Sequence, residues 1–251
     1  MTHAVARLRA ARFALLTKPF MARGSRVLRC SGCRVPESHC LCALRPDVPT
    51  RAGMCLIMGD LEPLKPSNTG WLIADVVADT AAFGWSRTAV DPALLAMLAD
   101  PQWQPYLVFP GEFVAPERVV LGLPLVDDHE VTQTNPPGSG KVAKRPLFVL
   151  LDGTWPEAGK MFRKSPYLDH LPVLSLRPEQ LSTYRLRRSK HDDHLCTSEV
   201  AAMCLALAGE PRAAEALAAY LAVFTRHYLN GKQSWPVDLD DAEHQLLRSF
   251  C

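Results

Sequence analysis

The chain has 251 residues, 48% of them hydrophobic, and a formal net charge of +2. That length holds one large α/β domain, or a domain with a small module. No apolar run approaches the roughly 20 residues that cross a bilayer, which argues for a soluble, cytoplasmic protein rather than a membrane one. The charge is uneven: residues 1–50 carry nine Lys/Arg against two acids, +7, and the remainder sums to −5. A basic arm on a mildly acidic body suits a polyanionic partner, and a solvated tail would look the same.

The first 29 residues are Arg-rich and acid-poor, and read as a basic helix, since no apolar secretory core is present. Cys30-Ser-Gly-Cys33 and Cys40-Leu-Cys42 follow, a C-x2-C-x6-C-x-C pattern. Soft thiolates at this spacing converge tetrahedrally on zinc, with Gly32 allowing the tight turn. An iron–sulfur cluster uses the same ligands, and His39 is an alternative to one thiolate. Two disulfides are the rival without a metal, disfavoured in a reducing compartment. Arg23, Arg26, Arg29 and Arg34 flank the knuckle, an arrangement suited to a phosphate backbone. The expected division is a basic arm with a four-cysteine zinc knuckle over 1–50, and a catalytic domain over 51–251.

From residue 51 strands and helices alternate. Met54–Met58 reads as a strand and Thr69–Ala82 as a helix opened by Ser67 or Asn68. Arg87–Val90 reads as a weak strand, Pro92–Leu98 as a short helix, and Tyr106–Phe109 as a strand ending in Pro110-Gly111. Residues 124–146, rich in Pro, Gly and Asp, read as a surface loop. Leu147–Leu151 is a strand buried on both faces, and Trp155–Lys164 is its helix. Thr154 and Glu157 form a capping box there, with Pro156 in the first turn. Val173–Leu176 is a further strand; Thr197–Ala208, Pro211–Leu229 and Asp240–Phe250 are helices. The pattern predicts a mainly parallel sheet with helices on both faces.

Asp152 therefore arrives at the carboxyl end of a central strand, beside a helix N-terminus, where open α/β sheets bind ligands. Asp152 as a local cap and Trp155 as helix packing are the structural alternatives. Three more loops follow strands: Glu62–Gly70, with Asn68 and Thr69 able to hold a ligand or cap a helix; Phe109-Pro110-Gly111-Glu112; and Arg185–Glu199. The last sets Arg185, Arg187 and Arg188 ahead of a helix that opens on Thr197 with Glu199 in its first turn. The His191–His194 segment reads as a solvated turn rather than a metal site. Gly138-Ser-Gly-Lys141 lacks the first glycine and the strand of a phosphate-binding loop. No G-x-S-x-G, G-x-G-x-x-G or H-E-x-x-H pattern is present, against hydrolase, dinucleotide-binding and metalloprotease functions.

The four-cysteine knuckle, Glu62…Lys65-Pro-Ser-Asn-Thr-Gly70, Asp152-Gly-Thr-Trp155 and Leu195-Cys-Thr-Ser-Glu199 occur in one order that resembles the DTW-domain family of tRNA-uridine aminocarboxypropyltransferases. Met58-Gly59-Asp60 departs from the family, whose members often carry His before the acidic stretch. The resemblance implies a fold related to the knotted SPOUT methyltransferases. It also implies transfer of the 3-amino-3-carboxypropyl group from S-adenosylmethionine to N3 of a uridine in tRNA, releasing methylthioadenosine. Asp152 is then the candidate base and Trp155 a stacking platform. Glu62, Asn68, Thr69, Pro110, Gly111, Thr154, Thr197 and Glu199 are the candidate donor-binding set, and zinc is structural. The arginines at 23, 26, 29, 34, 185, 187 and 188 would hold RNA, and no obligate protein partner is implied. The same transfer to ribosomal RNA, a related methyl transfer, and a non-catalytic zinc-knuckle RNA-binding protein are the alternatives.

Overall fold

The computed structural model describes residues 2–21, 27–123, 144–176 and 195–251. Its sheet has six parallel strands: β1 (Gly53–Met58), β2 (Thr80–Gly84), β3 (Trp103–Val108), β4 (Val119–Val120), β5 (Arg145–Asp152) and β6 (Val173–Leu174). They lie in the order β2-β1-β5-β3-β6-β4. Parallel strands need crossovers, and helices supply them on both faces. Such crossovers are α2 (Gly70–Val76), α3 (Pro92–Ala99) and α4 (Trp155–Arg163); α1 (Ala4–Ala14) precedes the first strand, and α5 (Thr197–Leu207), α6 (Pro211–Gln233) and α7 (Ala242–Arg248) follow the last.

The strand period of two divides the core between the faces. Met54, Leu56, Met58, Phe148 and Leu150 pack under α2, α5 and α6 on one side. Cys55, Ile57, Leu147 and Val149 pack under α3 and α4 on the other. Each fully buried side chain of this size contributes about 1.5–3 kcal/mol. The first cluster also contains Val5, Cys33, Val35 and Leu41, so residues from the expected N-terminal module share the main core.

Register fixes the site. Met58 is aligned with Asp152, so β1 and β5 end at the same level, and the Gly59 N–H donates to the Asp152 carbonyl at 2.9 Å. After β1 the chain turns outward through α2 to β2; after β5 it crosses the other way through α4 to β6. The connections part at this point, and the 62–70 loop that follows β1 closes over the end of β5, where Asn68 meets Asp152.

Two expectations are corrected. The helix predicted over Thr69–Ala82 stops at Val76, and Thr80–Gly84 is an edge strand paired with β1. Arg87–Val90 forms no strand. The two-residue β4 was not anticipated. Among the described residues no helix is long and apolar enough to cross a membrane.

Candidate functional site

The four knuckle cysteines converge. Their sulfur atoms all lie within 4.8 Å of one another, with Cys30–Cys42 and Cys30–Cys40 at 3.5 Å and Cys33–Cys40 at 3.8 Å. A tetrahedral ion with Zn–S bonds of about 2.3 Å sets its sulfurs about 3.8 Å apart, whereas a disulfide needs about 2.05 Å. The spacing fits one ion, and leaves no room for a cluster of several. A Cβ on Gly32 would sit 2.7 Å from Cys42 Sγ, so glycine is required at that position. Burial and neighbouring thiols push Cys42 up, and burial lifts Cys33 to about 11. Burial opposes ionisation of Cys30 too, yet the Cys33 and Gly32 N–H groups and the adjacent thiols bring it down to about 7. Four thiols this close need a cation if all are to ionise. His39 is turned elsewhere: its Nε2 meets the Trp235 carbonyl at 2.7 Å, and its Nδ1 meets Ser38 Oγ at 2.8 Å.

Asp152 is the junction of the remaining motifs. It is 1% exposed. The Asn68 amide donates to its Oδ2 and the Thr197 hydroxyl to its Oδ1, each at 2.6 Å. Gly70 makes this approach possible, since a Cβ there would stand 2.9 Å from Asp152 Oδ2. Asn68 Oδ1 accepts the Trp71 N–H at 3.2 Å, so one side chain caps α2 and holds the acid. The Thr69 hydroxyl accepts the Ser198 N–H at 3.4 Å, tying the 62–70 loop to the start of α5. Segments 84 and 45 residues from Asp152 thus meet on one carboxylate.

Beside this junction lies a cleft of about 680 Å³. One wall is Phe109-Pro110-Gly111-Glu112-Phe113; Leu150, Leu151 and Gly153 form the floor; Trp155, Ser175, Leu195, Thr197 and Val200 close the rest. The Ser175 hydroxyl accepts the Gly111 N–H at 3.0 Å and holds the first wall in place. Glu112 is the one ionisable side chain among the described lining residues. Largely apolar walls with a few convergent polar groups are the usual form of a small-molecule site.

Against this geometry the expected residues separate into three groups. Trp155, Pro110, Gly111 and Thr197 border the cleft, with Trp155 41% exposed. Asp152, Asn68 and Thr69 form the buried layer behind it. Glu62, Thr154 and Glu199 are engaged locally. Buried Glu62 pairs with Lys65; Glu157 accepts from the Thr154 N–H at 2.8 Å and hydroxyl at 2.7 Å. Glu199 accepts the Cys196 N–H at 2.7 Å. Ser175, Phe113, Leu195 and Val200 were missed; their strand-end and helix-start positions were the available signal.

Of the arginines expected to face RNA, Arg34 is buried instead. Its Nη1 donates to the Pro66 and Asn68 carbonyls, both at 2.9 Å, and its guanidinium lies 4.4 Å from the Trp71 ring centroid. A guanidinium so engaged cannot reach a phosphate. Arg29 is half-buried, stacked 4.7 Å from the Tyr228 ring centroid and donating to the Arg34 carbonyl at 3.1 Å. Arg23, Arg26, Arg185, Arg187 and Arg188 lie outside the described residues, as does the His191–His194 segment.

The DTW domain family matches residues 27–229. The tRNA-uridine aminocarboxypropyltransferase 2 of Drosophila melanogaster is 40% identical over 60 residues, a stretch covering 24% of each chain. No solved structure matches. A family match over most of the chain places this protein in the DTW-domain family.

Proposed function

We propose that the protein transfers the 3-amino-3-carboxypropyl group of S-adenosylmethionine to N3 of a uridine in tRNA. The observation that carries this reading is the Asp152 carboxylate, held by Asn68 and Thr197, at a cleft the size of a nucleoside site. The acceptor class comes from the partial likeness to a tRNA-uridine aminocarboxypropyltransferase.

The chemistry balances on these residues. Uridine N3 attacks the γ-methylene carbon next to the sulfonium; the C–S bond breaks with its electron pair on sulfur, leaving neutral methylthioadenosine. The N3 proton must leave, and Asp152 is the acceptor. Because Asp152 is buried while Thr197 borders the cleft, the proton passes through the Thr197 hydroxyl to Asp152 Oδ1. A positioned base of this kind contributes about 10²–10⁴-fold. Trp155 offers a stacking face for one of the two bases. Glu112, exposed at the rim of the cleft, places a negative charge near a cationic donor, with an attraction moderated by solvent. Holding the reactants in line provides the rest of the acceleration, since the sulfonium is already a good leaving group.

Zinc in the knuckle would be closed by Cys30, Cys33, Cys40 and Cys42 and would supply folding energy rather than chemistry. In this reading residues 1–50 serve as knuckle and RNA arm, and 51–251 as the catalytic part. Arg23, Arg26, Arg29, Arg185, Arg187 and Arg188 form the proposed phosphate contacts, so RNA binding should weaken steeply with salt.

The test is product analysis after incubation with S-adenosylmethionine and either tRNA or ribosomal RNA. Methylthioadenosine formed with tRNA supports the proposal. S-adenosylhomocysteine points to methylation, product with ribosomal RNA alone moves the acceptor, and no turnover with either RNA leaves an RNA-binding protein.

A further inference from the structure

Arg34 follows a knuckle cysteine directly, yet its side chain serves the 62–70 loop. Its backbone is left-handed, with φ 65°, a conformation that a residue with a Cβ keeps only where its surroundings enforce it. The knuckle does so: the Arg34 N–H donates to the Cys30 carbonyl at 2.8 Å, and the Cys30 N–H donates to the Val35 carbonyl at 3.0 Å. The turn aims the guanidinium at the Pro66 and Asn68 carbonyls, 2.9 Å from each. Buried carbonyls need donors, and a planar guanidinium stacked on an aromatic ring serves that purpose better than a flexible ammonium. Asn68 then donates to Asp152 Oδ2. A hydrogen-bonded path therefore runs from the knuckle backbone at Cys30, through one arginine and one asparagine, to the acid at the end of β5.

We propose that Arg34 is a positioning residue that couples metal occupancy of the cysteine knuckle to the placement of Asn68 and Asp152. Loss of the metal relaxes the turn at Arg34, frees the 62–70 loop and disables the site, while the sheet stays folded. The coupling itself stands on geometry; only its effect on turnover rests on the function proposed above.

Hydrogen exchange on the full chain, zinc-loaded and chelated, tests this directly. In the wild type, chelation should speed exchange about tenfold or more in residues 65–71 and leave the centre of β5 unchanged. Arg34→Met, with zinc bound, should show the same local acceleration, and chelating it should add little in that segment. Arg34→Lys, which keeps the buried cation, decides the matter if Arg34→Met does not fold: about threefold faster exchange confined to 65–71 is expected. Chelation that leaves 65–71 unchanged in the wild type, or accelerates it equally in wild type and variant, overturns the proposal. So does a uniform loss of protection throughout the chain. In turnover, Arg34→Lys should lower kcat with the donor KM nearly constant. A wild type without transferase activity would defeat the proposed function and leave the exchange comparison to judge Arg34.

Discussion

Thr197 donates its hydroxyl to Asp152 Oδ1 at 2.6 Å, and of these two residues it is the threonine that borders the cleft. In the proposed transfer Asp152 is the proton acceptor and Thr197 the residue that meets the substrate. Thr197→Val removes the hydroxyl at nearly constant shape. Turnover should drop about 10²-fold or more, while stability falls by about 1.5–3 kcal/mol, the worth of a hydrogen bond to a buried carboxylate. Thr197→Ser should restore most of the rate. Steady-state kinetics beside urea titrations would check both; full turnover in Thr197→Val would remove the relay.

Gly70→Ala tests the packing that brings Asp152 to its partners. Alanine ordinarily favours a helix over glycine by about 1 kcal/mol. Here the new Cβ would meet Asp152 Oδ2 at 2.9 Å and Asn68 Oδ1 at 3.2 Å, both fixed by hydrogen bonds. The sign should therefore reverse, with a loss of roughly 1–3 kcal/mol as for other overpacked cores. Thermal unfolding gives the answer, and a stabilised variant would mean that the junction is looser than described.

Trp155 is 41% exposed and lines the cleft, so its removal should damage binding more than folding. Base–aromatic stacking is worth about 1–3 kcal/mol, which corresponds to a rise of roughly 5- to 150-fold in one substrate's KM for Trp155→Ala. Trp155→Phe should recover most of it. Comparing the KM for donor and for RNA identifies the base that stacks; unchanged values for both would return Trp155 to a packing role.

Acidity should act on the largely buried pair His3 and Asp75, 3.5 Å apart. Burial lifts Asp75 to about 6, against the pull of Arg45 and Arg34. Its raised pKa means that the folded state holds the proton more tightly than the unfolded one, so this contribution to stability falls as pH rises from about 4 to 6. Burial, with Arg34 and Arg45 nearby, lowers His3 to about 4. The folded state then binds fewer protons, and this contribution rises with pH from about 4 to 6.5. The two slopes oppose. Denaturant titrations across this range should show His3→Gln turning the curve downward with rising pH and Asp75→Asn turning it upward, relative to the wild type.

Particular residues explain what could be read in advance. The run from Leu147 to Leu151 announced a strand buried on both faces, and Thr154 with Glu157 marked where the next helix starts. Ala81 and Ala82 misled because alanine favours helices; only pairing with Cys55 and Leu56 makes that segment a strand. Arg34 looked like its neighbouring arginines, and nothing local reveals that a left-handed turn points it inward. Asp152 was placed at the strand end from its sequence neighbours, but its burial depends on Asn68 and Thr197, which are distant in the chain.

The most direct measurement is mass spectrometry of uridine nucleosides after tRNA is incubated with S-adenosylmethionine and either the wild type or Asp152→Asn. The expected result is an aminocarboxypropyl-modified uridine with the wild type, formed at least about 10²-fold more slowly by the folded variant. Equal product from both proteins would contradict a role for the Asp152 carboxylate in the transfer.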